Sequence, residues 1–263
     1  MKTMYIVITI FILWSHSITT GQVFAEENTL IMTFTDEDWT PIIYTDNNNP
    51  SGHNGLFVEL LNEVFINRMN KKLEYKPLPW KRAQIWIKNG MADLMITIPT
   101  ENRLEYAIQS DDPIFELYMH VYTYKDHDKI EEIKQIKSAK DILQLGLIPV
   151  TNLGNGWYEE NIGSYGIKTY YARQEESLAK ILAAKRADIM IDTFIPMNYK
   201  IKQLGLASKI EVTDVRFGPV KFHLLMSKKS KYIGLIPEIN KTIKSMIEDG
   251  TLAKITNKYA ALE

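Results

Sequence analysis

Short apolar runs alternate with longer amphipathic stretches along this chain, and the alternation predicts its elements. Thr29 to Phe34 reads as a strand and opens into a polar, turn-rich segment from Thr35 to Asn54. Between Gly55 and Asn70, Leu56, Leu60, Leu61, Val64, Phe65 and Met69 recur at helical spacing, which places them on one stripe of a surface helix. Leu73 to Lys76 is a short strand. Pro79 then stands at a helix start, Trp80, Ala83 and Ile87 follow on one face, and Gly90 ends the helix. Ala92 to Ile98 reads as a buried strand. Strand, helix, strand, helix, strand is the order of a parallel sheet covered by helices.

The pattern then restarts. Met119 to Tyr124 is extended, and Lys125 to Lys140 is a charged connection in which SAKDILQ opens a short helix. Leu145 to Val150 is a strand, Asn152 to Gly156 a turn, and a helix begins at Trp157. A strand from Ile167 to Tyr171, a helix from Glu175 to Lys185 and a strand from Ala187 to Ile191 follow. The segments KNGMADLMIT and AKRADIMID echo each other, a helix end followed by Ala-Asp and a strand, which argues for two lobes of similar plan. Val220 to Ser227 is a last strand. Pro237 to Lys258 is helical but broken at Gly250, with Thr251 capping the second piece. The expected fold is therefore α/β and two-lobed, a clamshell in which each lobe is a mixed, mostly parallel sheet flanked by helices. Residues 26–120 with 222–263 form the first lobe and 121–221 the second. The crossings near Tyr118–Tyr124 and Gly218–Phe222 are the expected hinges, and ligands of such folds bind between the lobes.

The N-terminus changes the picture of where the chain works. Lys2, the apolar run from Met4 to Trp14 and the small-residue site Val23-Phe24-Ala25 read as a secretory signal peptide, residues 1–25, cleaved after Ala25. The run is too short for a membrane span. The chain has no cysteine, which excludes disulfides, thiolate metal sites, a cysteine nucleophile and a lipid anchor at the cleavage point. An exported chain without an anchor is expected in the periplasm. The net charge of −1 argues against nucleic acid, whose binders carry a basic face. The 5 histidines are scattered, and no zinc-protease spacing, nucleophile elbow, P-loop or dinucleotide fingerprint occurs. No metal, no cofactor and no catalysis are expected from these residues, and the chain is expected to be monomeric.

Several blocks in this order carry a family resemblance: FTDEDWTPIIY, GLFVELL, PWKRA with NGMADLMIT, TENRLEYA, LAKILAAKRADIMID, and the ending SKKS with INKTIKSMIEDGTLAKITNKY. Together they cover nearly the whole chain beyond residue 25, which resembles the bacterial extracellular solute-binding proteins of the polar amino acid type. The resemblance implies the substrate-binding protein of an ABC-type importer, with a membrane permease as partner and an amino acid or related carboxylate as ligand. It makes Arg103 the residue that grips a carboxylate, a role suited to the guanidinium fork. The family's ammonium-holding aspartate has its nearest match in Asp192, which arrives one residue early. Because such a slip along a strand reverses the facing side, either Asp192 or Thr193 takes that role. Trp39 and Tyr44 lie where the family boxes the ligand's side chain, and aromatic faces suit apolar and cationic groups alike. Glu37, Trp80 and Thr100 complete the first-lobe candidates. Asn152 belongs to a turn into a helix that offers N–H groups to an anion. Two other roles use the same fold: an enzyme such as a cyclohexadienyl dehydratase, with Asp36, Glu37, Glu59 or Asp192 as its titratable group, and a sensory protein feeding a membrane receptor.

Overall fold

The computed structural model describes residues 29–260, so the expected signal peptide lies outside the described residues. The chain begins with β1 (Thr29–Thr35), then a small hairpin of β2 (Tyr44–Thr45) and β3 (His53–Asn54). Helix α1 (Leu56–Leu61) runs directly into a π-helical stretch, Asn62–Arg68, so the single helix expected here changes its winding midway. Strand β4 (Lys72–Leu78) lies parallel to β1. Helix α2 (Trp80–Asn89) starts after Pro79, whose missing N–H is not needed there. It stops at Gly90, left-handed at φ 75°, whose N–H closes on the Ile87 carbonyl. Strand β5 (Leu94–Thr97), helix α3 (Glu101–Tyr106) and strand β6 (Ala107–Gln109) complete this half.

The other half follows the same grammar. Strand β7 (Phe115–Tyr124) leads to α4 (Ile130–Ile133) and α5 (Ala139–Gln144), the latter opened by a capping box between Ser138 and Asp141. Then come β8 (Pro149–Asn152), α6 (Gly156–Asn161), β9 (Tyr170–Ala172), α7 (Glu176–Ala183), β10 (Ile189–Thr193) and α8 (Phe194–Gln203). The 18-residue β11 (Ile210–Ser227) returns to the first half, where α9 (Ile236–Glu248) and α10 (Thr251–Ala260) close the chain.

Hydrogen bonding runs in the order β4-β1-β5-β11-β7-β10-β8-β9, with β6 also on β11. In the first lobe β1 is parallel to β4 and β5, and β11 joins antiparallel. In the second, β8 is parallel to β9 and β10, and β7 joins β10 antiparallel. Each lobe is thus a parallel core closed by an antiparallel strand, with β7 and β11 passing through both. Their pairing slips between Phe217 and Val220, beside the expected crossing at Gly218–Phe222. Gly218 has φ 120° there, and a Cβ would meet the Val220 nitrogen at 2.6 Å, so only glycine fits.

The repeated Ala-Asp pair does the same work twice. Asp93 Oδ2 accepts from the Ile31 N–H at 2.8 Å while its own N–H returns to the Ile31 carbonyl. Asp188 Oδ2 accepts from the Ile148 N–H at 2.7 Å and returns its N–H to Ile148. Each aspartate therefore clamps the beginning of its lobe's sheet. Elsewhere the sequence reading needs correction. Leu145 to Ile148 is not strand, because Leu145 caps α5 and Gly146 turns left-handed at φ 65°, and β8 starts at Pro149. The strand expected from Ile167 starts only at Tyr170. The first half of β11 and all of α8 go unread from pattern: Asp214, Gly218 and Pro219 look like breakers in the one, and Pro196 in the other. Pro196 sits in the first turn of its helix, where proline is tolerated.

Candidate functional site

The carboxyl ends of the parallel strands in both lobes face one gap, the usual ligand position in open α/β sheets. A cavity of about 450 Å³ fills it, within the range of small-molecule sites. The residues after β1 and the start of α2 form one wall, and the ends of β8 and β10 with the segment before α7 form the other. Direct bonds cross the gap. The Glu101 N–H donates to Glu160 Oε1 at 2.7 Å, and Trp80 Nε1 and Gln84 Nε2 donate to the Gly154 carbonyl at 3.2 and 3.3 Å.

Arg103 stands on α3, whose first turn is capped by the Thr100 hydroxyl accepting from the Arg103 N–H. Its side chain is 3% exposed as part of a residue that still lines the cavity. The guanidinium donates to the Ile98 carbonyl at 2.7 Å, to Gln84 Oε1 at 3.3 Å and across the gap to the Gly154 carbonyl at 3.3 Å. It also stacks 5.3 Å from the Trp80 ring. These bonds use three of the five guanidinium N–H groups, and the Tyr106 hydroxyl also engages the group. Burial brings its pKa down to about 10, so it keeps its charge at neutral pH. The lobes approach closely here: a Cβ on Gly156 would lie 3.1 Å from Thr100 Cγ2 and 3.4 Å from Arg103 Cζ.

An aromatic wall stands beside the arginine. The turn after β1 is pinned where Asp38 Oδ1 accepts from the Thr45 N–H at 2.8 Å, and Trp39 bridges to Ile43. That presents the Trp39 ring 5.8 Å from both Phe57 and Phe222. Trp157, buried at the start of α6, faces the cavity from the other lobe.

The opposite end is acidic. Glu37 reaches over the gap and accepts from the backbone N–H groups of Glu175 and Glu176, at 3.2 Å each. Asp192 Oδ1 accepts from the Thr193 N–H at 2.6 Å and the Thr193 hydroxyl at 3.1 Å. Burial pushes the Asp192 carboxyl up to about 6, against the opposing pull of those two bonds. Burial likewise raises Glu175, to about 8, and the negative charges of Asp192 and Glu37 add to it while Lys200 opposes. No group of metal-ligating side chains is assembled among the described residues.

Glu37, Trp39, Trp80, Arg103, Asn152, Asp192 and Thr193 all line the cavity. Asp192 and Thr193 do so together because β10 ends there and α8 begins at Phe194, so strict alternation no longer separates their faces. Tyr44 and Thr100 do not line it. Tyr44 pairs with Asn54 in the hairpin and lies near Tyr259, and Thr100 serves as the cap behind Arg103. Asn152 ends β8, and the turn after it offers the Gly154 carbonyl to the first lobe, while the Leu153 and Asn155 N–H groups donate to the Ala172 and Asn152 carbonyls. Of the titratable candidates, Glu59 lies outside the cleft, bound by Lys258 and Tyr259. Glu175, Trp157 and Arg173 were missed. The residue just before a helix gives no periodic signal, and a tryptophan one residue into a helix reads as core.

A two-lobed sheet structure with a cavity at the strand ends of both lobes has the clamshell architecture. The chain belongs to the bacterial extracellular solute-binding proteins, family 3, whose sequence profile matches residues 31–261. It is similar to a probable amino-acid-binding protein, YxeM, of Bacillus subtilis (strain 168), at 23% identity over 237 residues, 89% of this chain and 84% of that protein. Among solved structures it resembles an ancestral arginine-binding protein bound to arginine, with 23% identity, a TM-score of 0.69 and coverage of 88% of this chain and 97% of that one. An ancestral amino acid-binding protein that is a precursor of cyclohexadienyl dehydratase shares the fold at a TM-score of 0.66 and 21% identity, over 88% and 95% of the two chains. No helix among the described residues is long and apolar enough to cross a membrane.

Proposed function

We propose that this chain is the periplasmic substrate-binding protein of an ABC-type importer, and that it holds an amino acid or a closely related carboxylate between its lobes. One observation carries the reading: Arg103 from one lobe and Asp192 from the other line the same cavity. A zwitterion fits that pair. Its carboxylate takes the Arg103 guanidinium, and its ammonium group takes the Asp192 carboxylate, through charge-assisted hydrogen bonds. Both partners must be in place, so the ligand binds the closed form better than the open one and drives closure. Membership of the extracellular family supports export, and a permease that docks the closed form is the expected partner. Delivery to a membrane receptor would leave the cleft chemistry unchanged.

A thermal-shift screen of purified protein with amino acids, other carboxylates, amines and sugars tests the reading. Stabilisation confined to α-amino acids supports it. A response to sugars alone would overturn it. One observation favours a second reading, an enzyme: Glu175 borders the cavity, and burial raises its carboxyl in the direction that suits a general acid. Turnover of prephenate or arogenate by the purified protein would replace binding with catalysis.

A further inference from the structure

The acidic end of the cleft carries more negative groups than a ligand's α-ammonium requires. Glu37, Glu175 and Asp192 all line it, and Asp36 stands on the same wall. Glu37 is committed to backbone N–H groups of the second lobe, and Asp192 to Thr193. The Glu175 carboxylate has no hydrogen-bond or ion-pair partner among the described residues, yet it borders the cavity and feels the charges of both other acids. Lys200 on α8 acts on it only at a distance. On its own helix, Glu176 is paired with Lys180. Lys81 and Arg173 are exposed residues at the cavity's edge, where water screens them. A cation entering the site would therefore find an unpaired carboxyl group beside aromatic faces that also favour positive charge.

We infer that the unpaired Glu175, with the charges of Glu37 and Asp192 beside it, selects a ligand carrying a second positive charge, an amino acid with an amino or guanidinium side chain. The inference rests on the amino-acid reading of the cleft and adds the ligand's charge to it. Burial and the neighbouring charges favour a proton on Glu175, and in this proposal the ligand's cationic group takes the place of that proton. The O–H bond breaks, the proton passes to solvent buffer, and the carboxylate left behind pairs with the cation. Nothing is oxidised or reduced. Positively charged ligands gain from this exchange, while an acidic side chain meets three carboxylates and is refused.

Isothermal titration calorimetry of the purified protein tests it with L-arginine, L-lysine, L-glutamine, L-glutamate and putrescine, near neutral pH, in two buffers of different ionisation enthalpy. Arginine or lysine is expected to bind at least about tenfold more tightly than glutamine, a gap typical of one desolvated charge contact. Glutamate is expected to be weakest, and the heat should differ between buffers because a proton is released. The Glu175→Gln variant, which keeps the side chain's shape, should shrink the arginine-to-glutamine ratio about tenfold and abolish the buffer dependence. Equal affinity for glutamine and arginine, or an unchanged ratio in Glu175→Gln, overturns the inference and leaves the amino-acid reading standing. Binding of putrescine and of no amino acid would overturn that reading instead and keep the charge selection.

Discussion

The Glu37 carboxylate on the first lobe accepts the backbone N–H groups of Glu175 and its neighbour on the second, both at 3.2 Å. These bonds exist only while the lobes are together, so they belong to the closed form. Replacing Glu37 by Ala removes two charge-assisted contacts, each contributing on the order of 1.5 kcal/mol. Affinity for the ligand should fall about tenfold or more, chiefly through faster dissociation. Stopped-flow measurement of the off-rate checks this; an unchanged off-rate would show that Glu37 does not latch the lobes.

Close approach of α6 to α3 sets a second requirement. Gly156 leaves just enough room for Thr100 and the Arg103 guanidinium, so a branched side chain there must push the lobes apart. Gly156→Val is expected to weaken ligand binding about tenfold or more, with a melting temperature that stays near wild type because the residue opens onto the gap. Ligand titration together with thermal melting separates the two effects. Normal affinity in that variant would mean that the lobes need not meet at this point.

The raised carboxyl of Glu175 makes stability depend on pH in a definite direction. Its folded-state value of about 8 lies above the ordinary 4.5, so its contribution is complete below the ordinary value. It is lost as the pH rises from about 4.5 through about 8. Asp192 acts in the same sense over a lower window, from 3.8 to about 6. Glu175→Gln cannot ionise, so it should melt at a higher temperature than wild type on the alkaline side and match it in acid. A constant difference across the range would place Glu175 in a solvated environment.

Asp93 supports the scaffold on which the site is built. It is 7% exposed and accepts from the Ile31 N–H and the Ser230 hydroxyl. Asp93→Ala strands both donors inside the lobe and should cost about 2–5 kcal/mol by chemical denaturation. Asp93→Asn keeps one acceptor and should cost less.

Much of this architecture was legible in the residues themselves. The Ala-Asp echo at 92–93 and 187–188 announced two lobes, and the helix at Trp80 began and ended where Pro79 and Gly90 placed it. The candidates on the turn after β1 and at Arg103 reached the cleft because strand ends and helix starts fix them locally. Tyr44 did not, since a hairpin's direction depends on tertiary packing that no local pattern records. Glu175 was invisible for a related reason. Its importance comes from Asp192, which the fold of the second lobe sets beside it, and from Glu37, which the closing of the two lobes brings across. The first half of β11 was hidden because its buried and exposed positions do not alternate cleanly and Asp214, Gly218 and Pro219 interrupt it.

The claim that a zwitterion is held between the lobes meets its most direct test at Arg103. Calorimetric titration of the preferred amino acid into wild type and Arg103→Ala compares a site with and without its carboxylate fork. Loss of that fork should lower affinity at least about a hundredfold, as expected for a buried bidentate pair. The same amino acid's amide, which lacks the carboxylate, should bind both proteins equally weakly. Unchanged affinity in Arg103→Ala, or an amide that binds wild type as tightly as the acid, would contradict it.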